Sequence, residues 1–327
     1  MYTWKELLAK VNDDIARMPF DRRPVELYEP IRYVLSIGGK RIRPVLMLMG
    51  YNLYKEDVER ICPQALGIEV YHNYTLLHDD LMDRADMRRG MPTVHRKWND
   101  NAAVLSGDSM LVMAYQYMMQ DCPEHKLPEL LRLFTETALE IGEGQQYDIE
   151  FESRDDVTEE EYIEMIRLKT SVLLACALQS GAMLADAPAE DAALLYRFGE
   201  NLGLAFQLQD DYLDVYGDPA VFGKKVGGDI LCNKKTYMLI NAFGRASAAD
   251  RAALKQWMDR RPGSFDPAEK IAAVTDLYNK IGIRQLCDEK ILSYFNQARE
   301  VLASVQLPEE RKAPLWDMAL SLLNRKS

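Results

Sequence analysis

The stretch ALGIEVYHNYTLLHDDLMD, residues 65 to 83, carries an apolar helical pattern into the acidic signature DDxxD. A second stretch, ALLYRFGENLGLAFQLQDDYLDVY, residues 193 to 216, contains the same signature near its end. The six aspartates are Asp79, Asp80, Asp83, Asp210, Asp211 and Asp214. An α-helix advances about 3.6 residues per turn, so the outer two carboxylates of each motif project from one face, one turn apart. The sequence therefore predicts two helices that each bear an acidic face.

Helical periodicity continues along the rest of the chain. Broad apolar stripes occupy residues 25 to 37, 103 to 120 and 171 to 185, and no run of alternating β-branched residues bounded by tight turns interrupts them. Helix breakers separate these segments at Gly38, Gly39, residues 88 to 92, Pro123, Pro128, Pro188 and residues 217 to 228. We expect one all-α domain covering residues 1 to 327, a single large helical bundle around a central cavity that both acidic helices face.

Composition narrows the class of protein. The net charge of −11 argues against nucleic acid as a partner, because a phosphate backbone calls for a basic surface. The cysteines are five, scattered and without CxxC spacing, which is typical of reduced thiols rather than of disulfides or a zinc site. No apolar run at the N-terminus is long enough for a signal peptide or a membrane segment. We therefore expect a cytoplasmic protein with no integral membrane segment.

Carboxylates one helical turn apart repel each other, so the two motifs need a compensating cation. A single DDxxD is explained equally well by a solvated helix face, since Asp and Glu make up 51 of the 327 residues. Two copies flanked by apolar residues favour a site. Mg²⁺ binds carboxylate oxygens and keeps positions open for water and substrate phosphates. The pair of motifs therefore indicates a metal–diphosphate site.

Cationic residues follow at positions suited to a diphosphate. The run GGKRIRP, residues 38 to 44, places three cations at a predicted helix junction, with Pro44 expected at the first position of the second helix. Lys40 and Arg43 can bind one anionic group there, although a solvated loop is the alternative. Arg88 and Arg89 follow the first acidic motif, and their forked side chains suit bidentate phosphate contacts.

Two further groups of lysines lie later in the chain. Lys169 and Thr170 precede the apolar stretch SVLLACALQSGA. Lys224, Lys225, Lys234 and Lys235 flank glycines in the stretch from residue 217 to residue 236. That composition is typical of a lid that closes over phosphates, and an ordinary flexible loop is the alternative.

Taken in order, these motifs resemble those of the trans-isoprenyl diphosphate synthases, the polyprenyl synthetase family. The landmarks are GGKRIRP, the two DDxxD motifs, MRRG after the first, GQQYD at residues 144 to 148, LKT ending at Thr170 and FQLQDD at the second. They span residues 38 to 236, and beyond residue 240 there is only helical pattern. The resemblance implies the all-α type I isoprenoid synthase fold, and a prenyltransferase that joins isopentenyl diphosphate to an allylic diphosphate and releases diphosphate.

The resemblance also implies roles for individual residues. Three Mg²⁺ ions are expected, two held by Asp79 and Asp83 and the third mainly by Asp210. The expected allylic-diphosphate ligands are Arg88, Lys169 and Lys234. The expected isopentenyl-diphosphate ligands are Lys40, Arg43, His72 and Arg89. Thr170, Gln207 and Lys224 are expected around the reacting carbons and the departing diphosphate. Direct ligation by Asp80, Asp211 and Asp214 is left open.

Product length is expected to depend on residues that precede Asp79. Helix geometry nominates Thr75, four residues earlier, because Tyr74 at five residues is rotated by about 140°. The resemblance points instead to Tyr74, since an aromatic residue at the fifth position limits product growth in the family. The first motif lacks a two-residue insertion and Thr75 is not aromatic, a pattern that resembles geranylgeranyl diphosphate synthases first and farnesyl diphosphate synthases second. Plain core packing of Tyr74 is the alternative.

Other readings account for less of the sequence. A class I terpene cyclase shares the first DDxxD but carries a different metal triad in place of the second. A non-catalytic subunit is expected to have lost motif residues, and a metal phosphohydrolase built on His72, His78 and Asp79 leaves the second DDxxD unexplained. The methionines of SMLVMAYQYMM, residues 109 to 119, suggest core or a subunit interface, and the interface agrees with the homodimers usual in the family.

Overall fold

The computed structural model describes residues 1 to 218, 226 to 261 and 263 to 323. Helices dominate these ranges, which confirms the all-α prediction. The α-helices α1 to α16 are Trp4–Ala16, Val25–Ser36, Ile42–Asn52, Cys62–Met82, Val94–Lys97, Asp100–Met119, Leu127–Ser153, Glu159–Ile166, Val172–Leu184, Ala189–Tyr216, Gly228–Leu231, Tyr237–Arg245, Ala248–Met258, Pro267–Ile281, Ile283–Ser304 and Glu309–Leu323. A 3-10 helix spans Val58–Ile61, a π-helical turn spans Arg167–Ser171, and two antiparallel strands, β1 (Met87–Arg88) and β2 (Met91–Pro92), form a short hairpin.

Local sequence signals explain where several helices begin. Thr3 and Thr158 each form a capping box with a glutamate three residues later, at the starts of α1 and α8. Asn99 caps α6 by accepting a hydrogen bond from the amide of Ala102. One predicted boundary was wrong by two residues: α3 begins at Ile42, so Pro44 is its third residue. Proline is tolerated there because the first-turn amides have no partner within the helix.

Contacts divide the chain into two compact units, each assembled from three separate segments. Unit 1 comprises Met1–Glu136, Cys176–Tyr196 and Val305–Leu315. Unit 2 comprises the described residues of Thr137–Ala175, Arg197–Ser304 and Trp316–Ser327. The single domain and the single central cavity stay predictions, and each acidic motif is described within its own unit.

Each unit has its own buried core. In unit 1, α3 is buried along nearly its whole length, and α4 and α6 contribute fully buried residues such as Ile68 and Ala114. In unit 2, residues from α8, α10, α12 and α14 form one hydrophobic cluster that includes Tyr162, Leu208 and Met238. The apolar stripes read from the sequence therefore supply both cores, and the acidic motifs sit at the ends of core helices. None of the described helices is long and apolar enough to cross a membrane.

Candidate active site

The first acidic motif ends α4 in unit 1, and its three aspartates have different environments. Asp80 is buried, with 5% of its surface exposed, and its carboxylate accepts a hydrogen bond from Arg88 Nε at 2.8 Å. Burial raises the pKa of Asp80, and Arg88 opposes that shift. Asp79 is partly buried at 3.4 Å from Arg88 Nη2, and Asp83 is exposed just after the last helical residue. Asp79 and Asp83 are therefore the accessible carboxylates, whereas Asp80 is engaged internally.

The β1–β2 hairpin orients the two arginines that follow. Its central residues, Arg89 and Gly90, have φ values of 52° and 76°, the positive values that a tight two-residue hairpin requires. Arg89 Nη1 donates a hydrogen bond to the carbonyl of Gly38. A Cβ on Gly39 would lie 2.6 Å from Arg89 Nη1, so only glycine allows this approach. The hairpin thus brings Arg89 onto the GGKRIRP segment.

His72 contacts Arg43 within that segment. Arg43 Nη1 lies 3.1 Å from His72 Nε2, an arrangement that has the guanidinium donate to a neutral imidazole. Burial, reinforced first by Arg43 and then by Arg89, holds the pKa of His72 well below its ordinary value. Lys40 is exposed in the loop before α3. All four residues predicted to bind isopentenyl diphosphate therefore lie in unit 1, three of them joined by direct contacts or by charge.

The third cation of GGKRIRP does not belong to this group. Arg41 is 4% exposed, and its Nη1 donates to Glu69 Oε1 at 2.6 Å. The expectation that the junction displays three cations was therefore wrong, because Arg41 is turned into the interior.

Tyr74 and Thr75 also differ. The ring of Tyr74 packs between Tyr71 and His78, with centroid distances of 5.5 and 4.9 Å. The hydroxyl of Thr75 donates to the carbonyl of His72 at 2.8 Å, within the same helix. Tyr74 therefore joins an aromatic stack below the first motif, while the side chain of Thr75 is tied to its own backbone.

In unit 2, Lys169 and Thr170 lie in the π-helical turn that precedes α9. Such turns are rare and frequently mark functional sites. Two glycines permit this one: a Cβ on Gly144 would lie 2.4 Å from the amide nitrogen of Lys169, and a Cβ on Gly203 would lie 2.6 Å from Cα of Ser171. The turn is therefore packed against the backbones of α7 and α10.

Asp148 on α7 is paired with the lysine of this turn. Lys169 Nζ lies 2.5 Å from Asp148 Oδ2. Burial opposes ionisation of Asp148, but the charges of Lys234 and Lys169 outweigh it and lower the pKa of Asp148. The charges of both lysines predicted to bind the allylic diphosphate therefore act on one carboxylate, and the contact with that carboxylate directs Lys169.

The middle aspartate of the second motif is again internal. Asp211 is 4% exposed; the hydroxyl of Tyr162 donates to its Oδ2, and Gln207 Nε2 donates to its Oδ1 at 3.0 Å. Burial, together with the charge of Asp229, raises the pKa of Asp211 to about 7. Thr170 Oγ1 donates to Gln207 Oε1 at 3.0 Å, so both ends of the Gln207 amide are committed. Thr170 and Gln207 are thus connected, as part of a chain that ends on Asp211.

The outer aspartates of this motif are more accessible. Asp210 is partly exposed on α10. Asp214 accepts a hydrogen bond from the amide of Asp229 at 2.9 Å, at the start of α11. Lys234 is exposed after α11. Lys224 and Lys225, together with the rest of residues 219 to 225 of the predicted lid, lie outside the described residues.

The carboxylates fit Mg²⁺ bound together with a diphosphate. Across the described ranges, no group of three or more His, Cys, Asp or Glu side chains is arranged to hold a metal ion alone. Mg²⁺ does not require such a cage, because it commonly uses one or two carboxylates and takes its other ligands from phosphates and water. Asp79 and Asp83, one turn apart at the end of α4, supply that donor set.

Several residues that the structure connects to the site have no predicted role in the sequence. Asp148 lies within the GQQYD landmark, but its pairing with Lys169 spans 21 positions and leaves no local pattern. Tyr162 is similarly remote from Asp211 in sequence. Glu69 does carry a signal, since it is a single acid inside an apolar stripe and therefore calls for a buried partner.

Comparison with known proteins places the chain among related sequences. The family model described as polyprenyl synthetase matches residues 24 to 277. The chain is 41% identical over 285 residues to a geranylgeranyl diphosphate synthase of Methanosarcina mazei, covering 83% of this chain and 87% of that protein. A crystal structure of a geranylgeranyl pyrophosphate synthase matches with a TM-score of 0.95 and 42% identity over 100% of both chains. A geranylgeranyl pyrophosphate synthase from Corynebacterium glutamicum, complexed with isoprenyl diphosphate and magnesium, matches with a TM-score of 0.84 and 28% identity over 98% of this chain and 97% of that one.

Proposed function

The chain belongs to the polyprenyl synthetase family and is a prenyltransferase, and on that premise we propose that it condenses isopentenyl diphosphate with an allylic diphosphate to make geranylgeranyl diphosphate. The observation that carries the substrate assignment is the cluster in unit 1 of Arg43 on α3, His72 on α4 and Arg89, which donates to the carbonyl of Gly38. The two guanidinium groups offer positive charge and hydrogen bonds, and the neutral His72 imidazole offers a further polar group, a combination that suits the terminal phosphates of a small ligand. The chain also keeps every acidic and basic residue of the family motifs.

The residue roles follow from that substrate pair. Lys40, Arg43, His72 and Arg89 bind isopentenyl diphosphate. Arg88, Lys169 and Lys234 bind the allylic diphosphate, and Lys224 joins them. Asp79, Asp83 and Asp210 hold three Mg²⁺ ions, which when bound offset the negative charge that builds on the leaving diphosphate.

The reaction needs no protein nucleophile. The allylic C–O bond breaks and its electron pair leaves with the diphosphate, stabilised by Arg88, Lys169 and Lys234. The double bond of isopentenyl diphosphate then forms the new C–C bond, and a proton is lost to the released diphosphate. The contact with Asp148 directs the ammonium group of Lys169, and the hydrogen bond between Thr170 and Gln207 fixes two polar groups that could otherwise bind water in the site.

A length of twenty carbons is favoured by the residues below Asp79. Tyr74 supplies bulk within an aromatic stack, and Thr75 adds no second ring. Farnesyl diphosphate is the alternative product, since Tyr74 is large enough to stop growth one unit earlier.

One experiment tests the function directly. The protein is incubated with Mg²⁺, isopentenyl diphosphate and, in separate reactions, dimethylallyl, geranyl or farnesyl diphosphate, and the product chain length is measured. Geranylgeranyl diphosphate from each starter is expected. Accumulation of farnesyl diphosphate would favour the alternative, and cyclised hydrocarbon without elongation would replace the proposal with a cyclase.

We also propose a cytoplasmic homodimer. Leu105, Val112 and Met119 recur at seven-residue intervals on α6 and are 59%, 60% and 43% exposed. An apolar stripe of that period is typical of a helix that packs against another helix. The five cysteines all lie in the described ranges and form no disulfide, in keeping with a reducing compartment.

A further inference from the structure

Arg41 lies between two residues assigned to isopentenyl diphosphate, yet it has a different environment from both. Lys40 is exposed and Arg43 is partly exposed, whereas Arg41 is 4% exposed. Its Nη1 donates to Glu69 Oε1 at 2.6 Å and its Nη2 donates to the carbonyl of Leu35 at 2.6 Å. The guanidinium fork therefore joins the end of α2 to the middle of α4.

The backbone of Arg41 is in an unfavourable conformation. Its φ of 48° and ψ of 33° lie in the left-handed region, where a side chain with a Cβ is disfavoured. Gly38 and Gly39, which precede it, also have positive φ values of 89° and 142°. A non-glycine residue keeps such a conformation only when surrounding contacts hold it. For Arg41, those contacts include the two hydrogen bonds of its guanidinium and the one that its carbonyl accepts from the amide of Val45 at 3.2 Å.

Glu69 is itself held in place. Asn73, 1% exposed, donates from Nδ2 to Glu69 Oε1 at 3.0 Å and to the Glu69 carbonyl at 2.8 Å. His72, the neighbour of Asn73, faces Arg43 at 3.1 Å. Residues 69, 72 and 73 share one face of α4, because they are three and four positions apart. One face of α4 therefore contacts the GGKRIRP segment at Arg41 and again at Arg43.

We propose that the buried cluster of Arg41, Glu69 and Asn73 positions the isopentenyl-diphosphate ligands Lys40 and Arg43. Holding Arg41 in the left-handed conformation sets the direction of the chain on both sides of it, so that Lys40 is exposed and Arg43 is partly exposed while Arg41 and Ile42 are buried. This inference rests on the proposed function, since it assigns a purpose to residues that serve the same substrate.

A positioning role is distinguishable from a stabilising one. Breaking a buried ion pair by removing one partner is destabilising, but replacing both partners with apolar residues of similar volume is often neutral. The pair therefore contributes little net stability that apolar packing could not supply. Methionine at positions 41 and 69 can supply apolar packing. It cannot supply the forked guanidinium of Arg41, which holds the left-handed backbone.

The test uses the double variant Arg41→Met, Glu69→Met in the full-length protein. We expect the KM for isopentenyl diphosphate to rise at least tenfold, the KM for the allylic diphosphate to change less than twofold, and the melting temperature to change by only a few degrees. Calorimetric binding of isopentenyl diphosphate alone should weaken by the same factor. The single variant Glu69→Gln keeps an acceptor at Oε1 and should restore most of the affinity.

A second variant covers the case in which the double variant does not fold. Arg41→Lys keeps the charge but has one ammonium in place of the fork, so it should raise the KM for isopentenyl diphosphate by an intermediate factor. The matched control is Asp191→Asn, which alters another buried carboxylate of unit 1, one that accepts from Tyr54 and Gln306. It should lower the melting temperature and leave both KM values unchanged.

Two results would overturn the inference. One is an unchanged KM for isopentenyl diphosphate in a folded double variant or in Arg41→Lys. The other is an equal rise in both KM values, as general loosening would produce. Failure of the proposed function looks different, because the unaltered protein would then form no C–C bond and bind no isopentenyl diphosphate, and both proposals would fall.

Discussion

At the scale of the residue, each of the two acidic motifs combines a buried middle aspartate with more accessible outer ones. The middle aspartates, Asp80 and Asp211, are buried and accept hydrogen bonds from protein donors, whereas Asp79, Asp83 and Asp210 are at least partly accessible. Burial raises the pKa of both middle aspartates, which would make them poor ligands compared with an accessible carboxylate. The repeated letters DDxxD thus contain two kinds of carboxylate.

This difference predicts that substitution of Asp79 mainly affects turnover, whereas substitution of its neighbour Asp80 affects stability. Asp79→Ala should lower turnover at least about a hundredfold with little change in melting temperature, because it removes a ligand for the metal that offsets charge on the leaving group. Asp210→Ala should behave similarly. Steady-state release of diphosphate and thermal melts measure the two effects.

Asp80→Ala serves as the comparison, since it leaves Arg88 without its 2.8 Å partner. We expect Asp80→Ala to lower the melting temperature, so that any loss of turnover in this variant accompanies a loss of stability. Near-normal turnover in Asp79→Ala or Asp210→Ala would contradict the metal assignment.

Tyr74 and Thr75 give a prediction about product length. Tyr74→Ala removes a ring from the aromatic stack and should lengthen the product by at least one five-carbon unit, measured by chromatography of the dephosphorylated products. Thr75→Val, which replaces a hydroxyl tied to the helix backbone, should leave the length unchanged. Unchanged products from Tyr74→Ala would reduce Tyr74 to core packing.

At the scale of the element, the π-helical turn at Arg167–Ser171 is the feature that most affects the chemistry of unit 2. An α-helical continuation would give Lys169 and Thr170 different directions, because each residue of an α-helix is rotated by about 100° from the last. The turn is accommodated by the close backbones at Gly144 and Gly203. The glycines of α7 and α10 therefore matter for the positions of Lys169 and Thr170.

Two glycines on α7 provide a matched test. Gly144→Ala places a Cβ 2.4 Å from the amide nitrogen of Lys169, so it should shift the turn, lower the melting temperature and raise the KM for the allylic diphosphate severalfold. Gly142→Ala meets no atom within 4 Å and should stabilise the helix by up to about 1 kcal/mol. Equal behaviour of the two variants, measured by kinetics and thermal melts, would contradict this account of the turn.

At the scale of the whole molecule, the exposed stripe on α6 predicts association. Val112→Glu places a charge in the stripe and should convert the dimer to a monomer, measured by light scattering after size-exclusion chromatography. Leu292→Glu is the control, since Leu292 is also an exposed apolar residue, 52% exposed, but lies on α15. A dimer that survives Val112→Glu, or a wild-type monomer, would rule out this surface as the interface.

The pH dependence of stability should show two opposed contributions. The unfolded chain protonates His72 near pH 6.5, but the folded protein resists protonation there, so the free energy of unfolding should fall as pH drops below about 6.5. Asp211 has the opposite sign, because its raised pKa of about 7 makes the folded state bind the extra proton between about pH 4 and 7. The stability that the folded state gains from this proton on Asp211 is lost as pH rises through that range.

Urea denaturation between pH 5 and 8 separates these contributions. His72→Gln should remove the loss of stability on the acid side, and Asp211→Asn should remove the loss toward neutral pH. Curves parallel to that of the unaltered protein would show that neither group titrates differently on folding.

Much of this protein was decided by its sequence alone. Helix period and the absence of strand patterns gave the all-α fold, because apolar spacing determines which faces can be buried. The order of GGKRIRP, DDxxD, MRRG, LKT and FQLQDD indicated the prenyltransferase through its resemblance to the polyprenyl synthetase family. Only tertiary structure decided which of these charged residues turn inward. Arg41, Asp80 and Asp211 have the same local sequence character as their accessible neighbours, and their partners Glu69, Arg88 and Tyr162 lie 28, 8 and 49 positions away. Burial and pairing are properties of residues brought together by folding, and spacing along the chain cannot encode them.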